Sequence, residues 1–480
     1  MVMKKLLLSL LVVPMLALSS GCSSDPAQTA AVEEDEKHYG AEQHEQLLQQ
    51  FGGAYSGPES QYLKQVGENL ARTAGLEGDC TFSLVNTDVT NAFAVPGCYI
   101  YVTRGLMGLM NSEDELASVL GHELGHIIAD HSEQQQQRSM LRQLGVVAIA
   151  LVTDSPALTR IAGGAAQLFT LRYSRTHEYE ADDFAVKMLA EANYDPFAAA
   201  DMLDALGRYE AFHRASEPEG HAVPEWGRTH PLTDRRIDRV RQAAQAAGRQ
   251  PGERPEREVP FLDQVDGLLY GDDPDQGYIL GRSFAHPGMR IAFDFPEGLR
   301  LVNNPLAIQI EGEDGLRGEF SGGRAEAGLN AYADAVLAQF GDAHVQKSVG
   351  ERGTINGLPA LIHELRLQTG QGALNGLLVV ISPGGSSAYH FLLVAPPGKP
   401  VSSEAEKMIA SFRRLSAAEA GSLRPRYIDV VAVRQDTTAK SLSRLMISDR
   451  PLEHFLVLNG RTEHEPVKAG TRVKIVRLAS

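Results

Sequence analysis

The sequence predicts a multidomain α+β protein: a mainly helical first domain with a small β-sheet, then an α/β sandwich domain, then a small terminal module. Three observations predict it. At 480 residues the chain is too long for one core. A charged Pro/Gly stretch, Arg249 to Pro260, interrupts it and reads as a linker over 249–262. Before that stretch the apolar spacing is largely helical, whereas beyond it successive period-two runs appear.

In chain order, Lys4 and Lys5 precede an apolar run from Leu6 to Leu18 and then Ser19-Ser-Gly-Cys22, the layout of a secretory signal over 1–21 ending at a cysteine. The run is too short for a comfortable transmembrane helix. Residues 22–45, polar and Ala/Glu-rich around Gln28 to Tyr39, read as a tether. No later segment offers 18 continuous apolar residues, and the longest, Leu144 to Val152, is expected as a helix near the active site.

The first domain, 46–248, carries the chemistry. In Gly121-His-Glu-Leu-Gly-His126 the two histidines are four residues apart, so on a helix their imidazoles point at one spot. Glu123 lies beside them, turned to miss a metal yet close enough to act as general base on a bound water. A catalytic zinc needs a third protein ligand and an open position, and Glu178, in Ser174-Arg-Thr-His-Glu-Tyr-Glu-Ala-Asp182, fits. Asp182, one turn later, can accept the second ring N–H of a ligand histidine. Glu180 is rotated by about 200° from Glu178 and is set aside. Gly121, Gly125, Ala181 and Ala185 let the two helices approach closely. The expectation is one Zn2+ per chain on His122, His126 and Glu178. His131 would face away if its helix continued, His177 should point elsewhere, and His213 and His221 lie in a polar loop without a ligand role.

These motifs, with Asn91-Ala-Phe-Ala-Val-Pro-Gly-Cys-Tyr-Ile-Tyr-Val102 before them and Arg228-Thr-His-Pro231 after, resemble the zinc metallopeptidases that include the CAAX prenyl proteases, HtpX and periplasmic BepA. The resemblance spans roughly Gln46 to Ala247 and implies a gluzincin-type peptidase. It implies that Asn91, Ala92, Phe93 and Ala94 form an edge strand along which a peptide pairs, an ordinary structural hairpin being the alternative. It also implies that His230 lies near the metal, either filling the open position at rest or stabilising the oxyanion in action; otherwise it caps a helix start beside a proline. Cys98 stands where the family usually has a second glycine. The leader resembles a bacterial lipoprotein signal with Cys22 as the lipidated residue, and Ser23 after it favours the outer membrane.

With Cys22 lipidated, Cys80 and Cys98 remain as an even pair in an oxidising compartment, bonded or as two buried thiols. Loss of Lys4 and Lys5 with the leader moves the formal charge from −16 to −18, which argues against nucleic acid as a partner.

Residues 263–418 show strand patterns at 290–296, 307–310, 360–367, 376–381 and 389–394, with helical patterns between and after them. By layout this resembles PsbP/Mog1-like sandwich domains, and it reads as a binding or a purely structural domain. Residues 425–480 run strand, two short helices, strand, and resemble a degenerate LysM module, whose family binds peptidoglycan sugars. The resulting expectation is a lipid-anchored periplasmic zinc metalloendopeptidase of a Gram-negative bacterium acting on unfolded or misfolded envelope proteins. Its rivals are a chaperone or assembly factor with a latched metal site, and a peptidoglycan-associated binding protein.

Overall fold

The computed structural model describes residues 34–132, 134, 173–216, 225–250, 257–340, 345–369 and 372–479. The leader, Cys22, the run Leu144 to Val152, His221 and the middle of the Pro/Gly linker lie outside the described residues.

The first domain contains α1 (Glu34–Gln50), α2 (Pro58–Thr73), β1 (Thr81–Val85), β2 (Ala92–Val95), β3 (Tyr99–Thr103), α3 (Arg104–Leu109), α4 (Glu113–Ile128), α5 (Arg175–Glu191), α6 (Ala198–Ser216), α7 (Glu225–Thr229), α8 (Asp234–Ala246) and α9 (Glu258–Val265). The sheet order is β1-β3-β2, with β1 parallel and β2 antiparallel to β3, so β2 is an edge strand. The β2–β3 turn needs left-handed backbone at Gly97 (φ 87°) and Cys98 (φ 60°). A cysteine in that conformation is strained where glycine would not be. Its sulfur is bonded to Cys80, just before β1, with a Cα–Cα distance of 4.6 Å.

Two boundaries differ from the sequence expectation. Residues 34–45, read as tether, are helical in α1, because Leu47 and Phe51 behind them pack on Val85 and Tyr101 and His44 bonds the Tyr101 hydroxyl at 2.8 Å. The linker ends early: Phe261, Leu262 and Val265 of α9 share a helical face buried in the first core, beside Leu63, Leu116 and Leu268. Polar composition concealed these apolar anchors.

The middle domain has a sheet built on the long antiparallel strands Leu358–Thr369, Gly372–Gly384 and Ser387–Val394, extended by Arg317–Arg324, Ile308–Gly312 and Leu299–Asn303. A smaller sheet includes Ser283–His286 and Ile291–Asp294. Helix Leu329–Ala338 covers one face through Ala333 and Val336, and helix Ser403–Ala410 covers the other through Met408 and Ile409.

The terminal unit is strand Arg426–Ala432, helices Ala439–Ser443 and Pro451–Leu458, and strand Arg472–Leu478, the two strands being antiparallel. It is docked on the first domain. Its first strand also pairs with Leu269–Tyr270, and Ile428 enters the first core. Lys474, fully buried, donates to the carbonyls of Gly108, Leu109 and Met110 at 2.8, 3.1 and 2.5 Å, closing the C-terminal end of α3.

Candidate metal centre

Helix α4 starts at Ser112, whose hydroxyl accepts from the Glu115 N–H, and carries Glu113, Asp114 and Glu115 in its first turn, where the helix dipole favours negative charge. Every residue from Asp114 to His126 is buried. Helix α5 is capped likewise by Ser174. The two pack tightly because glycines face small residues: a Cβ at Gly125 would lie 2.9 Å from the Ala181 carbonyl oxygen, and one at Gly121 would lie 3.4 Å from the Ala185 Cα. That closeness brings α5 carboxylates to α4 imidazoles.

His122, His126, Glu178 and His230, all buried, place one ligating atom each within 4.8 Å of one another. His122 Nε2 stands 3.1 Å from His126 Nε2 and 3.3 Å from His230 Nδ1, and Glu178 Oε1 is 3.6 Å from His126 Nε2 and 3.1 Å from His230 Nδ1. Donors about 2.0–2.1 Å from a tetrahedral zinc stand about 3.3 Å apart, so this set of nitrogens and one carboxylate fits the ion. The unpartnered Glu123 supports the same fit. It is fully buried, neither carboxylate oxygen has a hydrogen-bond partner, and its Oε1 is 3.7 Å from His230 Nε2.

Groups around the cluster fix its geometry. Asp182 Oδ1 lies 2.9 Å from His122 Nδ1, which presents Nε2 inward. Arg236, on the buried stripe of α8 with Val240 and Ala244, donates to both Asp182 oxygens at 2.6 and 2.8 Å and reaches Glu178 Oε2 at 2.6 Å. Tyr173 stacks on His126 at 3.8 Å, and Trp226 stacks on His230 at 4.4 Å.

Electrostatics follow from burial and these partners. Burial pushes the Glu123 carboxyl up, although His230 and His122 oppose it. Burial also works against charge on Glu178, yet Arg236 and His230 hold its carboxyl below the usual range. Desolvation likewise works against charge on Asp182, yet Arg236 holds its carboxyl well below the usual range. His126 is pulled well below its ordinary value by burial and the neighbouring cations. Desolvation works against the His230 cation, but Glu178 raises it overall.

The remaining sequence-selected residues sort as follows. Ala92 and Ala94 are buried on β2 while Phe93 stacks on Tyr101; Asn91 is fully buried, and its side-chain amide has no hydrogen-bond partner. Glu180 points instead to His131, 3.4 Å away. His177 stacks on His131 at 4.3 Å, and His213 lies beside Tyr209 and Phe212, away from the cluster.

His131, expected to face away from the metal if its helix continued, is outside the four-residue cluster but lies against the back of His126. Helix α4 ends at Ile128, and Asp130 adopts φ 51°, so the chain folds back and His131 Nδ1 comes within 2.9 Å of His126 Nδ1. The helical angle argument assumed a helix that had stopped. Arg236 was also missed as a site residue. The signal available was an arginine at a core position, four and eight residues before Val240 and Ala244.

A family model described as Peptidase family M48 matches residues 58–244. A beta-barrel assembly-enhancing protease of Yersinia pestis is 31% identical over 195 residues, covering 38% of this chain and 39% of that protein. The mitochondrial metalloendopeptidase OMA1 of Arabidopsis thaliana is 31% identical over 182 residues, covering 38% of this chain and 35% of that protein. The chain thus spans well under half the length of these curated relatives. The solution structure of cyanobacterial PsbP from Synechocystis sp. PCC 6803 aligns with 29% of this chain and 98% of that one, at 14% identity and a TM-score of 0.24, too low to assign a fold.

Proposed function

We propose, on the premise that residues 58–244 of this chain belong to peptidase family M48, that the protein is a zinc-dependent metalloendopeptidase hydrolysing peptide bonds of misfolded bacterial envelope proteins. The observation that carries this reading is a buried carboxylate, Glu123, with no hydrogen-bond partner, beside a convergent set of His122, His126, Glu178 and His230.

His122, His126 and Glu178 would hold the zinc, which when bound supplies Lewis acidity to the attacking water and the scissile carbonyl. Glu123 takes the proton of that water and returns it to the leaving amine. Burial of its carboxyl raises its proton affinity, which suits a base. Asp182 and Arg236 keep His122 and Glu178 in place while this happens. The edge strand β2, with Asn91 at its start, is the element along which a substrate backbone would pair.

His230 Nδ1 sits among the same donors, 3.1 Å from Glu178 and 3.3 Å from His122, and this supports a latched resting state. Access then requires α7 and the Thr229–His230 turn to move. The envelope location and quality-control role rest on the lipoprotein-like leader and on relatives named for enhancing beta-barrel assembly. Among the described residues no helix is long and apolar enough to cross a membrane.

The test follows unfolded β-casein by gel with wild type, His230→Ala and Glu123→Gln, after measuring zinc content. Glu123→Gln should retain zinc and lose about 10³-fold or more of the rate. Activity confined to His230→Ala establishes the latch. Cleavage that survives Glu123→Gln overturns the assignment.

A further inference from the structure

Beside the metal centre lies a cavity of about 20 Å3, room for about one water or one methyl group. Its apolar walls are Val119 of α4, Ala185 of α5, and Met202, Leu203 and Leu206 of α6, each 5% exposed or less. Val119 and the three α6 residues belong to the first core, so the walls are packed from behind. The His122 imidazole lines one side and the Trp226 indole another, with ring centroids 6.0 Å apart. The cavity therefore shares a side chain with the metal cluster and another with α7.

The polar groups that reach the cavity are largely satisfied by one another. Ser118 donates to the Glu115 carbonyl at 2.7 Å, and Asp182 is held by Arg236 and His122. The Trp226 indole N–H is different: it is buried, and among the described residues it has no hydrogen-bond partner. An indole nitrogen can only donate, so this residue is left with a donor for an acceptor such as a peptide carbonyl. A charged side chain entering the cavity would lose its hydration and meet no free counter-charge.

Helix α7 couples the cavity to the metal centre. The His230 N–H donates to the Trp226 carbonyl at 2.7 Å and the two rings stack, so the two residues move together. The Trp226 N–H in turn donates to the Thr90 carbonyl at 3.3 Å, just before β2. A shift of α7 that bares the metal thus opens this cavity to the same peptide, while its α4, α5 and α6 walls stay in the core. We propose that the cavity receives the side chain of a residue flanking the scissile bond and admits a small one, alanine or serine, against leucine or phenylalanine. The proposal rests on the peptidase reading and deepens it by naming which bonds are cut. Met202, Leu203 and Leu206 set the limit, because a longer side chain would have to displace packed core atoms.

The experiment digests β-casein with the full chain, wild type or His230→Ala, and reads the cut bonds by mass spectrometry. One flanking position should favour alanine and serine over leucine and phenylalanine by about tenfold or more. Met202→Ala enlarges the cavity and should raise cutting beside valine and leucine, relative to alanine, by about tenfold. If circular dichroism shows that Met202→Ala does not fold, Val119→Ala, a smaller deletion on a helix that favours alanine, takes its place. Cuts without size preference at either flanking position, or a preference that the enlarged cavity leaves unchanged, overturn the proposal. A second readout needs no cleavage: calorimetry of the hydroxamates of N-acetylalanine and N-acetylphenylalanine on the zinc-loaded chain carrying Glu123→Gln and His230→Ala. The alanine compound should bind about tenfold or more tightly than the phenylalanine one, and Met202→Ala should narrow the gap. Equal affinities overturn the proposal. A size preference in binding by a chain whose wild type and His230→Ala forms both leave casein intact would keep the pocket and remove the peptidase reading, so the two fail separately.

Discussion

Arg236 makes the residue scale concrete, since one guanidinium spans Glu178 and Asp182 and thereby sets two of the groups that shape the cluster. Lysine keeps the charge but cannot reach both carboxylates with a planar fork. Arg236→Lys should therefore weaken zinc binding by about 10–100-fold while leaving the circular dichroism spectrum unchanged, as measured by competition with a chelator. Unchanged affinity would show that the ion pairs only fill space. The sequence made His122, Glu123, His126 and Glu178 readable because helical spacing is a local property, recoverable from residue numbers. Arg236 and His131 depend on where α8 packs and where α4 stops, and neither is encoded in the spacing of the histidines themselves.

Elements show the same division between local pattern and long-range contact. The alternation in 360–367, 376–381 and 389–394 marked strands that the structure places side by side, whereas α1 and α9 were hidden inside polar or proline-rich stretches with few apolar anchors. The Cys80–Cys98 bond closes an 18-residue separation across the β2–β3 turn. Loop-closure entropy for that length gives about 3 kcal/mol, so reduction should lower the melting temperature of the first domain by several degrees, read by calorimetry with and without reductant. Helix Pro451–Leu458 contributes a pH response. His454 is buried against Phe212, bonded to the Tyr270 hydroxyl at 2.6 Å, and burial, with Arg426 and His213 adding to it, pulls its pKa down to about 4. The unfolded chain thus binds a proton near pH 6.5 that the folded one refuses until about pH 4. Stability is fully present above pH 6.5 and falls by about 2–3 kcal/mol as pH drops toward 4. His454→Phe should flatten that part of the denaturation profile, and a profile that keeps its slope would place the proton elsewhere.

For the whole molecule, the terminal unit is part of the body of the first domain. Ile428 is in the first core, and Lys474 serves carbonyls of α3 and the residue after it. Deleting 425–480 should destabilise residues 58–265 by about 3 kcal/mol or more, because three buried carbonyls lose their cation and apolar surface is uncovered. Thermal melts of the truncated and full chains test this, and a pull-down on purified peptidoglycan with both forms tests the glycan reading. An unchanged melt would mean that the unit is only tethered. Lys474→Met separates the cation from the rest of the unit.

The Lys474 cap also sets a clock on synthesis. Its acceptor Gly108 lies 366 residues earlier. At about 5–20 residues per second, roughly 20 to 70 s pass between the two leaving the ribosome. Throughout that interval α3, the short helix that precedes α4, lacks the group that finishes its last turn. The last turn of α3 is thus completed by one of the last groups to be made, and until then its three carbonyls depend on water.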